Sequence, residues 1–414
     1  MPRLPPRLSF GQPSWVLTSS RVEAHLTRLG GHLAPVTFWM DDTRRRGTRP
    51  SRRSRRRDLR AVQPFAIAPW AQRNETLPRG TPPLIKSLRG DFFCCPFGAN
   101  STPFHGARHP PHGTTANGQW TLESVTPPAG RAAADGQIQL HARLASQPPT
   151  GRVDKYITLA AQHTAVYLRH VISGMSGPMP LGHHALLAVP QTTDGGHVST
   201  SRFVRGDVLP TPFETPSSGG YSRLQPGRSF HSLRRVALGY VIDGERYGNI
   251  AQMPPREGFD DLVMLTASPS LEFAWTAVTF PRDGYVWFAL RDPRVLRQTI
   301  LWMSNHGRHY PPWNGRYGPV LGVEDVTAFF HYGLAESARP NALTRRGIPT
   351  TVMLRKNRPT AVHYIMGVAP IPRDFGPVEE IRRDADGITL RSKRGAAVCA
   401  RLDVDFLQTG TVAS

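Results

Sequence analysis

The sequence predicts an all-β protein of antiparallel sheets with few short helices, on three observations. Forty prolines and 38 glycines are spread over 414 residues, and both residue types interrupt helices. From residue 60 onward, short β-branched and aromatic runs alternate with Gly, Pro, Asn and Asp, the punctuation of strands and turns. Gly-rich phosphate loops of the GxGxxG or GxxxxGK[ST] type and strand–helix alternation are both absent, which disfavours a nucleotide-binding α/β fold. No fixed-period repeat replaces them.

The clearest element is LEFAWTAVTF–PRDG–YVWFAL at 271–290. Two apolar runs flank a four-residue turn, as in a hairpin, and both are apolar on both faces, so they belong in the centre of a sheet. A second hairpin is predicted over 350–369. A third, over 387–406, alternates more cleanly and should border solvent. Residues 22–40 read as strand, Gly-Gly turn and strand, an edge hairpin. A short helix is expected near 292–300. The Pro/Ser/Gly-rich stretch 207–229 carries Phe213 and Tyr221 and reads as a long loop over the sandwich face, forming part of a cleft wall. Together these make one domain over 22–408, with a flexible extension at 1–21 and a tail at 409–414.

Hydrophobic content of 39% and charged content of 20% fit a globular protein. No apolar run approaches the roughly 20 residues that span a bilayer, and the Pro-broken N-terminus lacks a secretory apolar core. Cys94, Cys95 and Cys399 offer neither a disulfide scaffold nor zinc spacing, so a cytoplasmic location is expected. The net charge of +21 raises nucleic acid as a partner. Yet residues 44–60 alone hold ten Arg and one Asp. With no aromatic residue to stack a base, this Arg-rich 43–60 segment reads as a disordered insertion, and nucleic acid as a partner is disfavoured outside it.

Four polar residues stand in a telling order: His112 in HGTTANGQW, His184 in PLGHHALL, Asp260 in GFDDLVML and Glu324 in LGVEDVTAFF. The series resembles the aldose 1-epimerase (galactose mutarotase) superfamily, whose sugar site comes from a His-Gly…Trp, a Gly-x-His, a Gly-aromatic-Asp and a late Glu segment. The resemblance covers about 22–407 without the Arg-rich insertion, and it implies a β-supersandwich. RGDFFCCPFGAN (89–100) is closer to the hexose-6-phosphate epimerase branch, so a phosphorylated sugar is also in view, with Arg89, Arg169 and Arg308 available.

Interconverting anomers requires a base for the C1 hydroxyl proton and an acid for the ring oxygen, work suited to a carboxylate and an imidazole. The resemblance implies Glu324 as base, His184 as acid, His112 as a catalytic partner at the ring oxygen, and Asp260 on sugar hydroxyls. If the register slips by one residue, His183 replaces His184, because strand side chains alternate between faces. Asp260 has the turn alternative that Asp261 shares. Trp313 and Asn314, in SNHGRHYPPWNGRYG, suit stacking and hydroxyl bonding, as Arg89 suits a cleft mouth. His105, His109 and His112 have short spacing, but two prolines interrupt them and the reaction needs neither metal nor cofactor. A non-catalytic carbohydrate-binding protein on the same scaffold is the competing expectation.

Overall fold

Strands at the centre of this molecule are apolar on both faces because both faces are covered. A computed structural model describes residues 4–41, 59–127 and 136–413. The Arg-rich insertion, apart from its last two residues, lies outside the described residues.

Two antiparallel sheets pack face to face. The larger runs Arg7–Ser9, Gln12–Thr18, Val22–Thr27, Leu33–Met40, Asp91–Cys94, Leu181–Ala188, Val320–Thr327, Gln298–Asn305, Phe259–Ala267, Phe203–Val208 and Ser229–Phe230, with Arg60–Val62 beside Leu33–Met40. The second runs Gln252–Met253, Gly196–Thr200, Ala274–Phe280, Tyr285–Arg291, Thr360–Pro370, Ala165–Ser173, Gly151–Ala160, Gln137–Ser146 and Thr121–Thr126.

Side-chain alternation sorts each strand of the larger sheet between two cores. Phe93, Ala185, Leu187, Leu301, Met303, Leu321 and Val323 point into the core between the sheets. Their neighbours Phe92, Leu186, Ile300, Trp302 and Val326 point the other way, into a core roofed by loops and short helices. A third core, on the far side of the second sheet, is closed by the three-stranded sheet Val378–Asp384, Gly387–Ser392 and Ala397–Arg401 and by the C-terminus. Among the described residues no helix is long and apolar enough to cross a membrane.

The hairpin expected over 271–290 is present, with Phe280 paired to Tyr285 and every residue of both strands buried. So is the one over 387–406, partly exposed on its outer strand. Strands Val22–Thr27 and Leu33–Met40 pair across Gly30-Gly31. This hairpin is not an edge, however, because the expected flexible extension forms two more strands outside it. Phe10 and Gly11 both take positive φ at the turn between those strands, while Trp15 and Leu17 alternate into the core. The 350–369 hairpin is corrected: Val352–Leu354 pairs with Gly177–Met179, and Thr360–Pro370 joins the second sheet. The helix expected near 292–300 is a turn held by the Asp292 carboxylate, followed directly by the Gln298–Asn305 strand. The expected C-terminal tail packs down: Val412 is buried, and Gln137 donates to the Val412 and Ala413 carbonyls.

Candidate active site

The loop-covered face of the larger sheet holds a cavity of about 250 Å3. Its floor is set by strand register. Gly182–Val326 and Ala185–Val323 are paired, which brings His184 opposite Glu324, while His184 pairs with Phe92 on its other side. On the next strand Trp302 lies beside Gly322, where a Cβ would come within 3.0 Å of the Trp302 Cβ, so the glycine makes room for the indole.

His184 Nε2 and Glu324 Oε1 are 3.4 Å apart, and both side chains are buried. The His184 ring stacks on Phe92, with centroids 4.6 Å apart, and meets the His112 ring edge-on at 4.9 Å. His112 arrives from the turn before the Gly113–Asn117 helix, in a left-handed conformation with φ 57°, its N–H donating to Gly98 O at 2.6 Å. Of the two adjacent histidines, His184 faces the cavity. His183 points into the core between the sheets, where its Nδ1 donates to Asp91 Oδ2 at 2.9 Å and its ring stacks on Tyr364. The other Asp91 oxygen accepts the His184 backbone N–H at 3.2 Å, so one carboxylate holds both residues.

Burial dominates the electrostatics, since a charge taken from water without a partner is disfavoured. Burial pushes the Glu324 carboxyl up to about 8, against a pull in the opposite direction from Arg308. Burial, then the neighbouring His112 and His32, pushes His184 well below the usual imidazole range. His112 falls to about 3 and His331, also in the wall, to about 4, again chiefly by burial. At neutral pH the cavity therefore holds a protonated Glu324 beside a neutral His184.

Among the described residues Arg308 is the one Lys or Arg of the lining, and its charge is matched. Its Nε lies 2.7 Å from Glu214 Oε1 and 3.5 Å from Asp260 Oδ1. The guanidinium also sits 4.7 to 5.0 Å from the ring centres of Trp313, Phe213 and Trp302. Asp260 is fully buried and reaches the cavity only through its neighbours: it accepts Trp302 Nε1–H at 3.0 Å and Gly307 N–H at 3.1 Å. Burial raises its carboxyl to about 6. The structure thus places Asp260 behind the wall it braces.

Trp313 lines the cavity, whereas Asn314 is an exposed turn residue with φ 47°. Arg89 is also elsewhere. It is fully buried, and its guanidinium donates to the Ser87, Ser9 and Phe10 carbonyls at 2.9 to 3.0 Å, pinning the N-terminal turn. Arg169 lies over Tyr156 on the second sheet, so the three arginines do not converge. Removing the Arg89 donors would strand buried carbonyls. Arg89→Met is expected to lower unfolding free energy by about 2–4 kcal/mol, read from denaturant midpoints, with the kinetics of the folded fraction unchanged. Unchanged midpoints would contradict the pinning role.

Glu214, His331 and Trp302 are wall residues that sequence reasoning missed. Glu214 lies in the 207–229 loop, which covers the cavity through Phe213 and Glu214 as expected of a cleft wall; the carboxylate accepts a hydrogen bond from Tyr310 OH at 3.0 Å. Among the described residues no cluster of three or more His, Cys, Asp or Glu could hold a metal ion. His109 and His306 donate instead to the Pro148 and Gly315 carbonyls.

No family model and no curated protein sequence matches this chain. Solved structures do. A galactose mutarotase-like protein from Clostridium acetobutylicum aligns with a TM-score of 0.52 at 9% identity, over 88% of this chain and 98% of that one. A Klebsiella pneumoniae protein, provisionally described as an aldose 1-epimerase, gives 0.54 at 12% identity over 88% and 82%. A galactose mutarotase related enzyme from Lactobacillus acidophilus gives 0.50 at 8% over 86% and 97%. The chain therefore has the galactose mutarotase-like fold, in a widely diverged sequence.

Proposed function

We propose that the cavity binds an aldose and interconverts its α and β anomers. The observation that carries this reading is the His184–Glu324 pair, a titratable acid and base 3.4 Å apart in a largely apolar cavity beside His112. Groups whose pKa values are displaced by burial and which share a cavity suit proton transfer. The proton of Glu324 passes to His184 across their 3.4 Å contact, and the resulting Glu324 carboxylate takes the C1 hydroxyl proton while the His184 imidazolium delivers one to the ring oxygen, which returns both groups to their starting states. The C1–O bond breaks, C1 rotates about its bond to C2, and closure in reverse gives the other anomer. His112 hydrogen-bonds the sugar next to His184. Asp260 acts through Trp302 and Arg308, a positioning role and not a direct hydroxyl contact.

Polarimetry of freshly dissolved α-glucose and α-galactose, scored against the spontaneous rate, tests the proposal. Acceleration supports it; no acceleration with any aldose removes the catalytic reading. The competing reading, a carbohydrate-binding protein without catalysis, draws on one observation: the acid and base touch each other and leave no sugar-sized gap between them. Saturable sugar binding without acceleration would favour it.

The pH dependence has a definite sign. The working form, an ionised Glu324 beside a protonated His184, carries one proton, as does the resting pair, and that proton is lost as pH rises through about 8. The free-enzyme kcat/KM should therefore hold level below that value and fall roughly tenfold per pH unit above it. A profile flat from pH 6 to 9 would remove Glu324 as the base.

A further inference from the structure

Much of the cavity wall has no hydrogen-bonding side chain. Among the described residues, ten of the sixteen that line it are apolar, and six of these have no aromatic face: Leu84, Ile85, Leu88, Ala99, Pro111 and Leu262. The aromatic faces are largely engaged. Phe92 is stacked between His32 and His184, and Phe213, Trp302 and Trp313 surround the Arg308 guanidinium. Among the polar residues, Arg308 and Glu214 form an ion pair, and the Glu214 carboxylate also accepts from Tyr310 OH. Polar atoms without a hydrogen-bond partner are gathered on a few lining residues, among them the buried His112 Nδ1, His184 Nδ1, His331 Nδ1, Glu324 Oε2 and Arg308 Nε.

These groups can serve the anomeric hydroxyl, the ring oxygen and hydroxyls beside them, whereas a hydroxyl pressed dry against Leu84, Ile85 or Leu88 loses its water without replacement. A methyl group there gains from the same burial. A phosphate is disfavoured more strongly, because the charge of Arg308, the one Lys or Arg of the lining among the described residues, is already matched by two carboxylates.

We propose that the ligand of this cavity is a sugar with a deoxygenated edge, of the 6-deoxyhexose class, whose methyl group seats against the aliphatic wall of Leu84, Ile85 and Leu88. The inference rests on the sugar-site reading above and narrows its substrate class. It ties the short Pro83–Lys86 helix, which supplies Leu84 and Ile85, to ligand choice.

The test compares matched pairs, D-fucose against D-galactose and L-rhamnose against L-mannose. Each pair is measured twice, by polarimetric kcat/KM and by quenching of tryptophan fluorescence on binding. The deoxy member of at least one pair should be favoured about tenfold or more, and Ile85→Asn should shrink that preference to within about threefold. Ile85 is only half-buried, so the variant should fold; Ile85→Thr serves as a milder second change. Equal or better performance of both parent hexoses would overturn the assignment, as would an unaltered preference in both Ile85 variants. Deoxy-selective binding without acceleration would sustain the ligand class while overturning the epimerase reading. If none of the four sugars binds, both fall.

Discussion

Glu324→Gln is expected to slow turnover by about 10²–10⁴-fold and, at the same time, to make the protein more stable. Glutamine keeps the shape and hydrogen-bonding capacity of the protonated carboxyl beside His184 but cannot take a proton, so sugar binding should persist. The gain in stability follows from linkage. Glu324 rises from 4.5 to about 8 on folding, chiefly through burial. Such a group contributes stability that is fully present below its unfolded pKa and is lost as pH rises toward the folded one. At pH 7 the ionised unfolded state is therefore favoured by on the order of 3 kcal/mol through this residue, and glutamine removes that bias. The variant's advantage should open above pH 4.5, widen up to about pH 8 and then stay constant. Urea titrations of both proteins at pH 5, 7 and 9 measure it. Wild-type activity in the variant, or a gap that does not widen with pH, would refute the assignment.

Acid should unfold the protein through its buried histidines. His32 and His112 lie at about 3 and His331 at about 4, and His170 and His184 are pushed well below the usual range, all chiefly by burial. A histidine with a lowered folded pKa contributes stability that is present above its unfolded value of about 6.5 and lost as pH falls toward the folded one. Each costs about 1.4 kcal/mol per pH unit in that window. Glu324 and Asp260, whose carboxyls are raised by burial, recover stability over the same range, but they are two groups against five. The net loss below pH 6 is on the order of 3–4 kcal/mol per unit, against a total that is typically about 5–15 kcal/mol. Thermal melts followed by circular dichroism should show Tm falling steeply between pH 6 and 5. A Tm unchanged from pH 7 to 4.5 would mean that these rings are hydrated or paired in the folded protein.

Local hairpins were legible in the sequence because their partners are neighbours in the chain and their turns carry Gly, Pro and Asp. The Val352–Leu354 strand was misassigned because its partner, Gly177–Met179, lies far away in sequence, and no nearby pattern encodes that pairing. The first two strands lie in the Pro-broken N-terminus that was read as a flexible extension; of its prolines, Pro13 sits near a sheet edge, where prolines are tolerated. In the site, His184 and Glu324 were legible through the Gly-x-His and late-Glu segments that carry the resemblance. Asn314 and Arg89 were drawn in by residue type alone. Glu214 and His331 sit in irregular segments, where no periodicity says which side chain turns inward.

The shared carboxylate of Asp91 has a consequence for how this protein can change. One of its oxygens serves a ring in the core between the sheets, and the other serves the backbone of the cavity histidine. Repacking around His183 or Tyr364 would thus move His184 without touching the cavity. Sequence drift in that layer is constrained by the site across the sheet from it, so the interior and the cavity must evolve as one unit.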